Sequence, residues 1–384
     1  MTTSAAPDAL RVLVVGHTYT VRLNRDKFYE LAKRPDLDLV VVTPEMWPDY
    51  IQPVYSRSEP GEPLDVRPLP TWKAGNEVLY VYRPALLGLI RRFRPHVLHV
   101  EQGASALVYF QCLVAARLVG RRPRALFFTW VNLPYARPWP FSWIERYNLA
   151  HTDWAICGNR DAEDVLRGRG YRGPVTVLPQ LGVDPEVFRP LEVPELRSRL
   201  GLKHFVIGFV GRLVPEKGLR TLVQAAGRLA GEYQLLLVGR GSLRAEIERA
   251  AGALGLADRL VLVDPVPHDQ VPGYLNCMDA LVLPSLTTPA WKEQFGHVLI
   301  EAMACGVPVV GSSSAEIPRV IGDAGLIFRE GEAGQLAAHL QGLMDEPTRR
   351  ARLGQAGRQR VLAHFSHRRI ADETYEIYRR LRPV

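Results

Sequence analysis

The sequence predicts an α/β protein built from two doubly wound parallel-sheet domains. Three observations carry this. Strand-sized apolar runs alternate with helically spaced segments from end to end, the βαβ rhythm of parallel sheets covered on both faces. The rhythm restarts after a stretch crowded with Pro and Gly at 179–195, a linker signature. The chain has 384 residues, too many for one ordinary core and suited to two domains of roughly 150–200 residues.

Taken in order, "LRVLVVG" (10–16) reads as a strand, "NRDKFYELAKR" as a helix and "LDLVVVTP" (37–44) as the next strand. "HVLHVEQG" (96–103), "ALFFTWVN" (125–132) and "DWAICGN" (153–159) repeat the theme, with helices between them. After "LPQLGVDPEVFRP" (178–190) come strands at "HFVIGFVG" (204–211), "YQLLLVG" (233–239), "RLVLVDPV" and "DALVLPS" (279–285). "LRTLVQAAGRLA" and "LRAEIERAAGAL" are helices among them, and "FGHVLIEAMACG", "VPVVGSS", "AGLIF" and a helical end complete the series. The boundaries follow: a first domain over 1–185, a second over 186–365 and a terminal helix over 366–384. Ligands of such sheets bind at the carboxyl ends of the strands. Two sheets facing each other would therefore make a cleft.

Composition narrows the class. Hydrophobic residues make up 47% and charged residues 23%, values of a soluble globular protein. No apolar run approaches the roughly 20 residues that span a bilayer, and the N-terminus lacks the basic start of a secretory signal. It reads as a short disordered lead-in. Cys112, Cys157, Cys277 and Cys305 lie far apart without metal-type pairing, so a reducing, cytoplasmic compartment is expected. Net charge is +8, with basic clusters at 91–95 and 121–124. These suit either an Arg-rich soluble surface or attraction to anionic lipid at the inner face of a membrane, or to a phosphorylated acceptor. No motif or aromatic–basic interleaving points to nucleic acid.

One loop of the second half can hold a diphosphate, and a second can bring backbone close to a nucleotide. In "FVGRLVPEKGL" (209–219), a strand ends at Gly211, with Arg212 at its edge and Lys217 five residues on. Arg forks two oxygens and Lys acts as a point charge, beside a helix start. Alternatively Glu216 and Lys217 are an exposed surface pair. "VGRGSLRAEI" (238–247) places Gly239 at a strand-to-helix turn, where backbone can approach a nucleotide, although it matches neither the P-loop nor G-x-G-x-x-G.

The stretch "WKEQFGHVLIE" (291–301) carries two glutamates. Helical spacing sets in at about Phe295, so Glu293 lies in the preceding loop and Glu301 inside the helix. The helix macrodipole accounts for Glu293. It does not account for Glu301, whose apolar neighbours demand a partner for its carboxylate. Free N–H groups around Gly296, His297 and Val298 could face a phosphate, and each carboxylate could hold a vicinal diol.

"GRLVPEKGL", "VGRGSL", "LPS" and the E-x(7)-E of "EQFGHVLIEAMACGVPVVGS" resemble the retaining nucleotide-sugar glycosyltransferases of family four, which have the GT-B fold. "AEIPRVIGDAGLIF" (315–328) and "FSHRRIADETYEIYRRL" (365–381) continue the resemblance. It implies that Gly211, Arg212 and Lys217 meet the donor diphosphate, Glu293 the donor sugar and Glu301 the ribose. Gly239, Phe295, Gly296, His297 and Val298 would complete the donor site, with the base near Val266. The terminal helix would cross back to an acceptor-binding first domain. The chain departs from the family after its first strand, where Gly16 is followed by His17 instead of a glycine pair. After a middle strand, Trp130 and Asn132 stand where many members carry a histidine. These four are the acceptor-side candidates.

Two metal-like patterns are discounted. "DLD" (36–38) reads as a turn or strand edge. On an alternating strand His96 points away from His99 and Glu101. The expectation is a metal-free enzyme without a cofactor, moving a sugar from a UDP-, GDP- or ADP-sugar donor to a sugar, lipid or small-molecule acceptor. The alternatives are an epimerase or phosphorylase of the same fold, or a non-catalytic subunit. A dehydrogenase fits less well, because no acidic ribose-binding residue follows a G-x-G-x-x-G.

Overall fold

The structure is a computed structural model and describes residues 8–48, 53–58 and 61–383. The lead-in at 1–7 lies outside these. The chain divides into two compact units, residues 1–181 with 367–384, and residues 182–366.

The first unit holds a seven-stranded sheet of β1 (Leu10–Val15), β2 (Leu37–Pro44), β3 (Asp65–Leu69), β4 (Val97–Val100), β5 (Arg124–Thr129), β6 (Trp154–Cys157) and β7 (Val175–Val177). Its spatial order is β7-β6-β5-β4-β1-β2-β3, all parallel. The central strands are nearly continuous runs of Val, Leu and Phe because both faces are covered. Alternation sends Leu13, Val15, Leu98, Val100 and Phe127 into one core and Val12, Val14, Val97, Leu126 and Phe128 into the other.

Three helices on the first of these faces matter below: α1 (Ala85–Phe93), α2 (Leu107–Leu118) and α3 (Phe141–Ala150). The second unit has a six-stranded sheet of β8 (Phe205–Val210), β9 (Tyr233–Val238), β10 (Leu260–Val263), β11 (Ala280–Leu283), β12 (Val309–Ser312) and β13 (Leu326–Phe328). Its order is β10-β9-β8-β11-β12-β13, again parallel. Helix α4 (His297–Ala304) follows β11. The last helix, α5 (His367–Arg380), returns to the first unit, where Ile370, Ala371, Ile377 and Tyr378 enter the second core.

Each sheet reverses its direction of winding once, at β1/β4 and at β8/β11. Connections from the two strands at such a point leave toward opposite faces, which opens a crevice at their carboxyl ends. Topology alone therefore nominates the loops after β1 and β4 in one unit, and those after β8 and β11 in the other.

Buried polar groups lie under the first crevice. Lys27 Nζ donates to Glu101 Oε1 at 2.5 Å, with both side chains out of contact with water. His99 shares a 2.7 Å hydrogen bond with the Tyr378 hydroxyl of α5, and its other nitrogen is 3.4 Å from Glu101. Burial holds the His99 imidazole down at about 4, with Glu101 opposing and the Lys27 charge assisting. The unfolded chain, titrating near pH 6.5, therefore takes the proton more readily than the folded one. The stability from this group is complete above about pH 6.5 and is lost as pH falls toward 4, an effect of ~3 kcal/mol. Denaturation midpoints measured across that window should fall with pH, and should fall less in His99→Gln.

The two discounted metal patterns have other partners. Tyr375 donates to Asp36 at 2.7 Å, and His96 Nε2 lies 2.7 Å from the Arg11 guanidinium.

Candidate active site

The loop after β8 is clamped before it reaches Lys217. Gly211 N–H bonds the Val238 carbonyl at 3.0 Å, and Leu213 N–H bonds that of Arg240 at 2.9 Å. Gly239, at φ +144°, makes this possible, since a Cβ there would stand 1.9 Å from the Gly211 carbonyl oxygen. The close approach that Gly239 permits in this structure is thus between two loops. Pro215–Lys217 then form a short 3₁₀ turn, and Leu286 N–H bonds the Glu216 carbonyl at 2.8 Å, tying the turn to the loop after β11.

That tie brings Lys217 to Glu293. Lys217 Nζ donates to Glu293 Oε2 at 2.6 Å, and the Ser285 hydroxyl donates to the same oxygen at 2.8 Å. Ser312 Oγ in turn holds the Ser285 carbonyl at 2.6 Å. Glu293 is buried, and Lys217 lies 4.9 Å from the centre of the Trp291 ring. The expected alternative, an exposed Glu216–Lys217 pair, is not what forms. Glu216 lies 3.8 Å from Arg212, whose side chain remains exposed. An ammonium has three donors, so the bond to Glu293 does not exhaust Lys217.

Helix α4 begins at His297, two residues later than its spacing suggests, with Gly296 at φ +83° as its N-cap. As a glycine, Gly296 brings no side chain of its own to cap the helix. Its deep face carries Leu299, Ile300, Ala302 and Met303. Its half-buried face carries His297, Val298 and Glu301, as the i, i+4 spacing requires. Phe295 is buried, with ring contacts to His297 and Phe365. Glu301 has the partner its surroundings demand, His268 Nε2 at 3.2 Å. Val266 sits two residues before that histidine, half-buried in the loop after β10.

The acceptor-side candidates occupy the first unit. Gly16 follows β1 and donates to the Val42 carbonyl at 3.1 Å. His17 follows, with its ring 4.3 Å from that of Trp47 and Nε2 3.8 Å from Glu77. Burial lowers its pKa, with Glu77 and Gln102 acting the other way. Trp130 and Asn132 follow β5, with β4 between them and β1. Trp130 Nε1–H donates to Gln180 at 3.0 Å, and Gln180 donates to Glu101 Oε2 at 3.0 Å. The buried charge pair thereby fixes the indole. Asn132 is itself buried.

Sequence reasoning missed Ser285 as the second partner of Glu293, although "LPS" was among the motifs singled out. It also missed His268 and Gln180, for which no local signal exists.

With this geometry in place, residues 194–360 match the family model described as glycosyl transferases group 1. This segment is a glycosyl transferases group 1 domain. Both members of the Lys217–Glu293 pair, and all of α4, fall inside it. Over 217 residues the chain is 32% identical to the 2-deoxystreptamine glucosyltransferase of Streptomyces kanamyceticus, covering 54% of each chain. It is also 32% identical over 263 residues to the alpha-maltose-1-phosphate synthase of Mycolicibacterium smegmatis, covering 62% of this chain and 66% of that protein. The chain thus spans about half to two thirds of the length of the curated relatives it matches. Anabaena HepE, solved in complex with UDP, superposes with a TM-score of 0.71 at 16% identity, over 96% of this chain and 100% of that one. That likeness places the two sheets in the GT-B fold class. The group 1 domain therefore supplies one of two Rossmann-like sheets, with its switch-point crevice lined by Lys217, Glu293 and the start of α4. No group of three or more His, Cys, Asp or Glu side chains with metal-binding geometry occurs among the described residues.

Proposed function

We propose that the protein is a retaining glycosyltransferase that moves a sugar from a nucleotide-diphosphate sugar to an acceptor hydroxyl without a metal ion. The observation that carries this reading is the Lys217–Glu293–Ser285 cluster at the switch point of a group 1 domain. The donor diphosphate meets Arg212, Lys217 and the start of α4, three sources of positive potential placed where negative charge grows as the phosphate leaves. These offset the charge that a divalent ion would otherwise neutralise. Glu293 is held still by two donors and orients the sugar hydroxyls. Glu301, on the half-buried face of α4, takes the ribose diol, with the base toward Val266. The acceptor binds the first unit near His17, Trp130 and Asn132.

The reaction exchanges one bond for another at the anomeric carbon. The bond to the leaving phosphate oxygen breaks, the bond to the acceptor oxygen forms on the same face, and the acceptor proton passes to the leaving phosphate. The four free, buried thiols suit a reducing compartment, so the reading places this chemistry in the cytosol. No helix among the described residues is long and apolar enough to cross a membrane.

The test is a thermal-shift screen of UDP-, GDP- and ADP-sugars in the presence of EDTA. A donor bound by the native protein raises apparent stability by about 2.7 kcal/mol at a hundredfold excess over its Kd. Arg212→Ala should remove that shift while keeping the ligand-free melting temperature. A panel in which no nucleotide-sugar shifts the transition contradicts the reading.

A further inference from the structure

Residues 78–150 contain ten arginines, two glutamates and no lysine or aspartate, a net charge of +8. The formal net charge of the whole chain is also +8, so all the other residues together sum to zero. Both glutamates are withdrawn from the surface. Glu101 is buried against Lys27, and Glu145 is buried and paired with Arg169. Nine of the ten arginines are exposed. This stretch therefore presents cations to solvent and no carboxylate.

Its helices form one layer. α1 packs on α2 and α2 on α3, and Leu86, Ile90, Val108 and Cys112 join the same core on one face of the first sheet. Large apolar groups of this stretch lie in water: Trp139, in the loop before α3, is 81% exposed, Leu118 at the end of α2 74% and Trp143 on α3 47%. Trp143 stacks on Tyr147 with ring centres 5.6 Å apart, and both contact Phe110. The Arg117 guanidinium lies 5.3 Å from the centre of the Tyr147 ring. Arg91 and Arg92 end α1, Arg121 and Arg122 follow α2, and Arg146 lies on α3. Exposed tryptophans on a stretch whose exposed charges are all cationic suit neither a free surface nor a protein partner's apolar core. They suit the boundary of an anionic bilayer, where indole rings sit at headgroup level and arginines reach phosphates.

We propose that the outer face of α1, α2 and α3 docks the protein on an anionic lipid surface. Trp139, Trp143 and Leu118 enter the headgroup–acyl boundary, and the surrounding arginines pair with lipid phosphates. The proposal goes beyond the sugar-transfer reading and does not depend on it, since it is read by binding alone.

The test is flotation of the full chain with two vesicle types, pure phosphatidylcholine and phosphatidylcholine with about one third phosphatidylglycerol. The protein should float with the anionic vesicles, not with the neutral ones, and rising salt should release it. Arg91→Gln/Arg121→Gln/Arg122→Gln should lower the partition coefficient about a hundredfold, from ~1 kcal/mol per arginine near the surface. Trp139→Ser/Trp143→Ser should weaken binding while leaving its salt dependence in place. All five side chains are exposed, and circular-dichroism melts confirm that each variant folds. Failure of the wild-type chain to float with anionic vesicles overturns the proposal without reference to any variant. So does equal flotation with neutral vesicles, wild-type binding by the triple arginine variant, or binding to soluble heparin without binding to vesicles.

Discussion

Replacing Lys217 with methionine is expected to lower kcat/KM for the sugar donor by at least about a hundredfold and to reduce stability by ~3 kcal/mol. The two losses have different origins. Lys217 is one of two side-chain cations in the proposed donor loop, and preorganised charge of this kind acts mainly on the transition state. Its removal also strands Glu293, which is buried and keeps only Ser285 among the two donors described above. The double variant Lys217→Met/Glu293→Gln separates the effects. It removes both charges, so denaturant titration should show most of the lost stability restored. Its turnover should stay low, because neither the diphosphate nor the sugar regains its partner. If activity recovers along with stability, the pair is structural and the donor site lies elsewhere.

The second large effect is expected in the first unit. Lys27→Met should destabilise the protein by roughly 3–5 kcal/mol, because it leaves the Glu101 carboxylate in a site closed to water. The present balance is visible in the titration of both groups. Burial lowers the Lys27 pKa against the pull of Glu101; at Glu101 burial pushes the other way, but the Lys27 charge and hydrogen bond, with His99 and the Tyr19 hydroxyl assisting, outweigh it and lower the carboxyl. Lys27→Met/Glu101→Gln should recover much of the loss. Glu101 also orients Gln180, and Gln180 holds the Trp130 indole. Guanidinium unfolding of the single and double variants measures the coupling directly, and a loss below about 1 kcal/mol for Lys27→Met would show that the pair is not closed to water.

The fold was legible where burial on both faces erases polar residues. "LDLVVVTP" and "YQLLLV" are strands whose interiors admit little else, and both form as expected. The edges were not legible. β3 reads "DVRPL": among the described residues it pairs only with β2, so Asp65 and Arg67 can point to water and Pro68 costs the sheet little. β7, at the opposite edge, is three residues long and too short to show a period. In the site, each candidate was found by its residue type and its place at a strand end, and those places are set by local pattern. The partners were not found. Lys217 and Glu293 are 76 residues apart, and sequence reading gave each a ligand atom instead of giving them each other. Glu301 was read as needing a partner, and the structure supplies His268 from a different loop, 33 residues earlier. The demand for a partner comes from local composition, whereas its identity comes from the sheet order that sets β10 and β11 on either side of β8 and β9.

On the reading proposed above, the Lys217–Glu293 crevice binds and activates a nucleotide-sugar. The most direct test is release of nucleoside diphosphate by the purified full chain from UDP-, GDP- and ADP-sugars, in EDTA, with and without polyol acceptors. Acceptor-stimulated release from at least one donor is expected, about a hundredfold slower in Lys217→Met under matched folding. Release that proceeds equally well in Lys217→Met, or its absence across the whole donor panel, would contradict that reading.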